Sequence, residues 1–183
     1  MTEGRRHEVA EQGARRWSPA DILSLLRFPL AILFVAIGDA GIRFLVLAVA
    51  ALSDLMDGWL ARRFGSSRMG AILDPIADKV FMACAFGVVA FAGGLRYYEI
   101  VGVLVRDIWA TAGFVMTLGR GKPVAIPARA GGKAVTLAQL LTLVAFLADS
   151  TLLRPMAWAT AGIGIYAIYD YTKVTGSRRR SEK

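Results

Sequence analysis

Six apolar runs, each long enough for a helix of about four turns or more and separated only by short polar breaks, constrain this chain more than any other feature. They fall near Asp21–Ile37, Ile42–Leu60, Ala71–Ala92, Tyr98–Leu118, Ala134–Ala148 and Leu152–Tyr171. The breaks are Gly38–Gly41, Arg62–Gly70, Gly93–Arg96, Gly119–Lys133 and Asp149–Ser150. A membrane span needs roughly 20 mostly apolar residues, so six spans and their connections take up nearly the whole length. The fifth run is short and needs residues from its flanks, or a tilted or thinned bilayer around it. With 56% hydrophobic residues and a mean hydropathy of +0.51, the chain is also more apolar than an ordinary soluble domain of 183 residues. The expected fold is an all-α integral membrane protein with six transmembrane helices. Residues 18–176 form one domain, preceded by a polar cytoplasmic or juxtamembrane segment, 1–17, and followed by a basic tail, 177–183.

Basic residues sort by connection. Arg5, Arg6, Arg15 and Arg16 precede the first run, and Arg62, Arg63 and Arg68 lie in the second break. Arg120, Lys122, Arg129 and Lys133 lie in the fourth, and Lys173, Arg178, Arg179, Arg180 and Lys183 close the chain. These groups hold 16 of the 22 Lys and Arg, whereas the other three connections hold or adjoin only Arg43, Arg96 and Arg154. The alternation predicts an even number of spans with both termini in the cytoplasm. The expected location is a bacterial cytoplasmic membrane, with the active site facing the cytoplasm. Trp17, Tyr97, Tyr98 and Tyr171 fall near span ends, where amphipathic rings are favoured. The N-terminal segment lacks the apolar stretch of a signal peptide and reads as a solvated helix or a clamp on lipid headgroups.

Several function classes drop out. Cys84 is the single cysteine and lies in an apolar run, which excludes an intrachain disulfide or a cysteine metal site. His7 is the single histidine and sits in the polar N-terminal segment, which removes His-ligated zinc and Ser-His-Asp chemistry. The net charge of +8 is distributed by topology without a nucleic-acid recognition motif, so it points to anionic headgroups or a phosphorylated substrate.

Acidic residues are rare in the apolar runs, yet Asp54 and Asp57 end the second and Asp74 and Asp78 begin the third. Spacings of three and four place each pair on one helix face, and an antiparallel hairpin brings both pairs to the same break. Four converging carboxylates repel unless cations join them. Hard oxygen ligands suit Mg²⁺ or Mn²⁺, and two such ions can clamp the oxygens of a diphosphate. The competing reading is that the aspartates only pair with Arg62, Arg63, Arg68 or Lys79. Intramembrane ionisable groups in this number favour a functional site. Gly58, Ala61 and Gly70 flank the aspartates and permit close approach of backbone or ligand, and Arg62 is placed to reach a phosphate.

The run Asp54-Leu-Met-Asp57-Gly58-Trp-Leu-Ala61-Arg62, then seven residues to Gly70, then Ala-Ile-Leu-Asp74-Pro-Ile-Ala-Asp78, resembles in every fixed position the signature of the CDP-alcohol phosphatidyltransferases. The family's six-span arrangement extends the resemblance over nearly the whole chain outside the N-terminal segment. The resemblance implies that Asp54, Asp57 and Asp74 bind metal. Asp78 would add to the metal site and act as the base on the acceptor hydroxyl. Asp57, Gly58, Ala61, Arg62 and Gly70 would line the nucleotide pocket. The implied reaction is attack of an alcohol on the lipid-side phosphate of CDP-diacylglycerol, with release of CMP.

Upstream, Asp21-Ile-Leu-Ser24-Leu-Leu-Arg27 looks like the family's first-helix segment, with Asp21 where Asn is usual. Arg106-Asp107 and Gly132-Lys133-Ala-Val-Thr136-Leu-Ala-Gln139 resemble the acceptor-side segments of phosphatidylglycerophosphate synthases and cardiolipin synthases. Arg106, Arg129 and Lys133 offer a cationic pocket, so glycerol 3-phosphate is the first acceptor to expect. Val135 and Asp107 depart from that subfamily's pattern and are compatible with phosphatidylglycerol as acceptor, the cardiolipin synthase reaction. The expected partners are therefore CDP-diacylglycerol, a small phosphorylated alcohol or phosphatidylglycerol, membrane lipids and a second copy of the chain in a homodimer, but no nucleic acid. An aspartate-rich prenyltransferase is a rival enzyme, normally longer and with two separate aspartate loops. An ion-binding transporter is a rival from another class, against which stands the clustering of all four aspartates near one face.

Overall fold

The apolar runs become helices in the computed structural model, which describes residues 19–64, 70–119 and 130–181. They are α1 (Pro19–Ala36), α2 (Ala40–Phe64), α3 (Gly70–Phe91), α4 (Tyr97–Gly119), α5 (Ala130–Leu147) and α6 (Leu153–Ser181). Among the described residues the chain is all-helical, with no strand. Residues 1–18, which hold the polar N-terminal segment, lie outside them.

Local chemistry sets the ends. The Asp39 carboxylate accepts the backbone N–H of Ile42 at 2.8 Å, an N-cap for α2. Glu99 reaches back to the Arg96 N–H at 2.8 Å and closes the first turn of α4. α3 stops where Gly93 adopts φ 71°, with Gly94 N–H bonded to Val89 and Gly93 N–H to Ala90. α5 stops in the same way at Asp149, φ 49°, with Ser150 N–H bonded to Ala145 and Asp149 N–H to Phe146. Both are Schellman turns, and the left-handed residue is a glycine in one and an aspartate, among the few side chains that tolerate it, in the other.

Two boundaries differ from the sequence expectation. α5 begins at Ala130, four residues early, despite Gly131 and Gly132. A Cβ at Gly131 would lie 3.3 Å from Ala167 Cβ, so the glycine lets α5 lie close against α6, which offsets its poor helix propensity. α6 runs ten residues past Tyr171 to Ser181, because hydropathy marks burial while a charged segment can continue a helix without it.

The chain divides into two compact units, one up to Val88 and one from Val89. In the first, α1 packs on α2, and Arg43 fastens them by donating from Nε to the Phe34 carbonyl at 3.0 Å. Phe34 meets Phe81 of α3 edge-on at 5.9 Å, with Ala31, Leu47, Ala77, Ala85 and Phe86 buried in the core. In the second, α6 packs on both α4 and α5 around Val103, Val135, Leu143, Ala157 and Ala161. The buried hydroxyls of Thr142 and Thr160 pair at 3.0 Å, so neither is left unsatisfied between apolar helices.

Among the described residues no helix is long and apolar enough to cross a membrane. Two of the helices carry several charges: Arg43, Asp54 and Asp57 lie in α2, and Asp74, Asp78 and Lys79 in α3.

Candidate metal centre

Helix periodicity aims Asp54 and Asp57 from one face of α2, and Asp74 comes from the second turn of α3. The fold gathers all three: one carboxylate oxygen from each lies within 4.8 Å of the others. Asp57 is buried, whereas the side chains of Asp54 and Asp74 keep 48% and 49% of their surface exposed, so the cluster has a buried floor and an accessible mouth. Asp78 lies one turn beyond Asp74, half-buried, outside the group of three, and adds a fourth negative charge to the field on Arg27.

Arg27, in the middle of α1, belongs to the first-helix segment that stands out by resemblance, yet sequence reasoning gave it no role. Its side chain is only 2% exposed. Nη2 donates to Asp54 Oδ1 at 2.8 Å and also to Asp57 Oδ2, and Nη1 donates to Asp74 Oδ1 at 3.1 Å. Ser24, one turn earlier on the same face, donates to the same Asp74 oxygen at 3.2 Å. One guanidinium thus ties three helices through three carboxylates, and its planar fork is the side chain suited to that task. Its Nε is buried with no hydrogen-bond partner, a cost unless an acceptor arrives. A signal did exist: an arginine among apolar neighbours in a helix must find anions, and the only carboxylate cluster in the apolar runs is this one.

Of the residues expected around the nucleotide, Gly58 sits half-buried one residue after Asp57, and Gly70 is buried at the first position of α3. The side chains of Ala61 and Arg62 lie outside the described residues. Arg63, their neighbour, stacks its guanidinium over Trp59 at 5.3 Å.

The segments expected on the acceptor side meet in the second unit. Gln139 of α5 donates from Nε2 to Asp107 Oδ2 at 2.6 Å and to the Val103 carbonyl at 3.0 Å, both on α4. The other Asp107 oxygen accepts from Arg106 Nη1 at 3.1 Å. Arg106 lies so near α5 that a Cβ on Gly132 would stand 2.7 Å from its Nη2. Lys133 is the next residue and is exposed, while Arg129 lies outside the described residues.

Three carboxylates brought together from two helices are hard oxygen donors that fit a divalent cation of the Mg²⁺ type and offer nothing to a soft one. The guanidinium among them shows that the geometry already suits positive charge.

The family model of the CDP-alcohol phosphatidyltransferases matches residues 17–167. A probable phosphatidylglycerophosphate synthase of Mycobacterium tuberculosis (strain H37Rv) is 32% identical over 144 residues, 73% of this chain and 68% of that one. Two proteins named CDP-diacylglycerol--glycerol-3-phosphate 3-phosphatidyltransferase are also similar. The one from Sodalis glossinidius is 37% identical over 128 residues, 68% of this chain and 67% of its own. The one from Escherichia coli K12 is 35% identical over 130 residues, 68% of each.

Proposed function

The chain belongs to the CDP-alcohol phosphatidyltransferase family, and from that premise we propose that it makes phosphatidylglycerophosphate, transferring a phosphatidyl group from CDP-diacylglycerol to glycerol 3-phosphate with release of CMP. The observation that carries this reading is the gathering of Asp54, Asp57 and Asp74 within 4.8 Å on two largely apolar helices. Such a cluster serves a diphosphate substrate through a divalent cation.

Asp54, Asp57, Asp74 and Asp78 would hold Mg²⁺ or Mn²⁺, in two ions, whose charge offsets that of the diphosphate and of the departing CMP. Asp57, Gly58, Ala61, Arg62 and Gly70 line the nucleotide side. Asp78 takes the proton of the acceptor hydroxyl as its oxygen bonds to the lipid-side phosphorus and the bond from that phosphorus to the oxygen it shares with CMP breaks. Arg106, Arg129 and Lys133 hold the acceptor's phosphate, with Asp107 and Gln139 fixing Arg106 in place.

The enzyme works within a bacterial cytoplasmic membrane, with its active site on the cytoplasmic side. Large apolar side chains point outward along the helices, among them Ile32, Leu45, Leu55, Phe91, Met116 and Ile165, and each is at least 60% exposed. On a water-soluble protein that surface would drive aggregation, whereas lipid tails cover it at no cost.

Purified enzyme should release CMP from CDP-diacylglycerol when given glycerol 3-phosphate and not when given inositol phosphate, serine or phosphatidylglycerol. Release with phosphatidylglycerol alone would replace this reading by the cardiolipin synthase reaction. That alternative draws on Asp107, whose carboxylate already engages Arg106 and so offsets part of the charge offered to a small phosphate.

A further inference from the structure

The three aspartates are held together by a cation that belongs to the chain. We propose that Arg27 is a built-in counter-cation that keeps the carboxylate cluster assembled when no metal is bound and competes with the divalent cation for it. Three carboxylates whose oxygens lie within 4.8 Å cannot all stay ionised against one another without positive charge among them. Arg27 supplies that charge permanently, because a guanidinium does not deprotonate in proteins. It engages Asp54, Asp57 and Asp74 at once, from a helix that contributes no carboxylate to the three.

The same contacts set Arg27 against the metal. The Asp54, Asp57 and Asp74 oxygens that accept its hydrogen bonds are ligand atoms of the kind a divalent cation takes, and a guanidinium left in place repels the incoming charge. Two effects of removing Arg27 then oppose each other. Loss of preorganisation weakens metal binding, and loss of a competing charge tightens it. Without Arg27 the carboxylates would turn away from one another, but they are short side chains with few rotamers, so a metal ion regathers them at small cost, whereas a full charge at hydrogen-bond distance from a side chain only 2% exposed is a large effect. Charge wins, and Arg27 is a positioning residue whose occupancy tunes metal affinity.

This role for Arg27 rests on the divalent-cation reading of the cluster, and Mn²⁺ binding to the purified full-length protein, followed by electron paramagnetic resonance, separates the two. The expected order of Mn²⁺ affinity is Arg27→Gln tightest, Arg27→Lys intermediate and wild type weakest. Arg27→Gln should bind about tenfold more tightly or better, and Arg27→Lys several-fold, since one ammonium cannot hold three carboxylates in a fork. Thermal melts should show the companion effect: Mn²⁺ raises the melting temperature of Arg27→Gln more than that of wild type, because the metal supplies the missing charge. If Arg27→Gln folds only when Mn²⁺ is present, that too supports the proposal. Should it fail to fold with or without Mn²⁺, the Lys variant decides. Affinity equal to or weaker than wild type in the variants that fold would overturn the counter-cation role while leaving the metal site standing. Absence of Mn²⁺ binding in all three proteins would overturn the metal reading itself and this role with it.

Discussion

Replacing Gly132 with alanine probes the acceptor side through a single added methyl group. Its Cβ would stand 3.6 Å from Arg106 Cζ, an ordinary contact, but 2.7 Å from Arg106 Nη2, closer than a carbon and a nitrogen can pack. The obstacle is the far end of a flexible side chain, so the guanidinium retreats by several tenths of an ångström and the helices stay where they are. Stability should hold or rise, since alanine exceeds glycine in helix propensity by up to about 1 kcal/mol. Binding should suffer: a misplaced Arg106 loses a charge-assisted hydrogen bond to the acceptor phosphate, about 1.5 to 3 kcal/mol, which is roughly 10- to 150-fold in acceptor KM. The KM for CDP-diacylglycerol should stay within about twofold of wild type, a change worth only about 0.4 kcal/mol. Steady-state kinetics with each substrate varied in turn, alongside a thermal melt, reads all three quantities. An unchanged acceptor KM in a variant as stable as wild type would remove Arg106 from the acceptor site.

Other outcomes follow from the same geometry. Asp57→Asn removes the buried member of the carboxylate cluster and should cost at least about 100-fold in turnover while the protein remains folded in detergent; retained turnover would exclude Asp57 from the chemistry. Gln139→Leu deletes the bonds to Asp107 and Val103 and should lower stability by about 1 to 3 kcal/mol, seen as a reduced melting temperature, and an unaltered melt would show that the pair is not a strut. Single cysteines placed in the 65–69 and 120–128 segments of a Cys84→Ala background should label only from the cytoplasmic side, whereas labelling from outside the cell would end the six-span topology.

The carboxylate cluster was legible in the sequence because helix spacing alone puts residues three apart on one face, and a short break can return the chain beside itself. Arg27 was not, although the segment holding it stood out by resemblance. An arginine among apolar neighbours calls for anions, but a linear spacing of 27 residues does not say which oxygens it meets, and the packing of α1 on α2 sets the guanidinium opposite Asp54. The same holds for Gln139 and Asp107, 32 residues apart and joined by the meeting of α4 and α5. The six helices among the described residues followed from the apolar runs, but the first turn of α5 and the last ten residues of α6 did not. Glycine at 131 and charge beyond Tyr171 argue against helix on local grounds, and close packing on Ala167 overrides the first. The aspartates stood out because they lie inside apolar runs, and the fold brings Asp54, Asp57 and Asp74 together.

Metal dependence of CMP release is the measurement closest to the central claim that Asp54, Asp57 and Asp74 form the divalent-cation site of a phosphatidyltransferase. Purified protein in detergent, given CDP-diacylglycerol and glycerol 3-phosphate, should release CMP with Mg²⁺ or Mn²⁺, fall silent in excess EDTA and recover when the metal is restored. Asp54→Asn and Asp74→Asn proteins of wild-type stability should release none under any of these conditions. Full CMP release in EDTA, or undiminished release by either variant, would contradict the account.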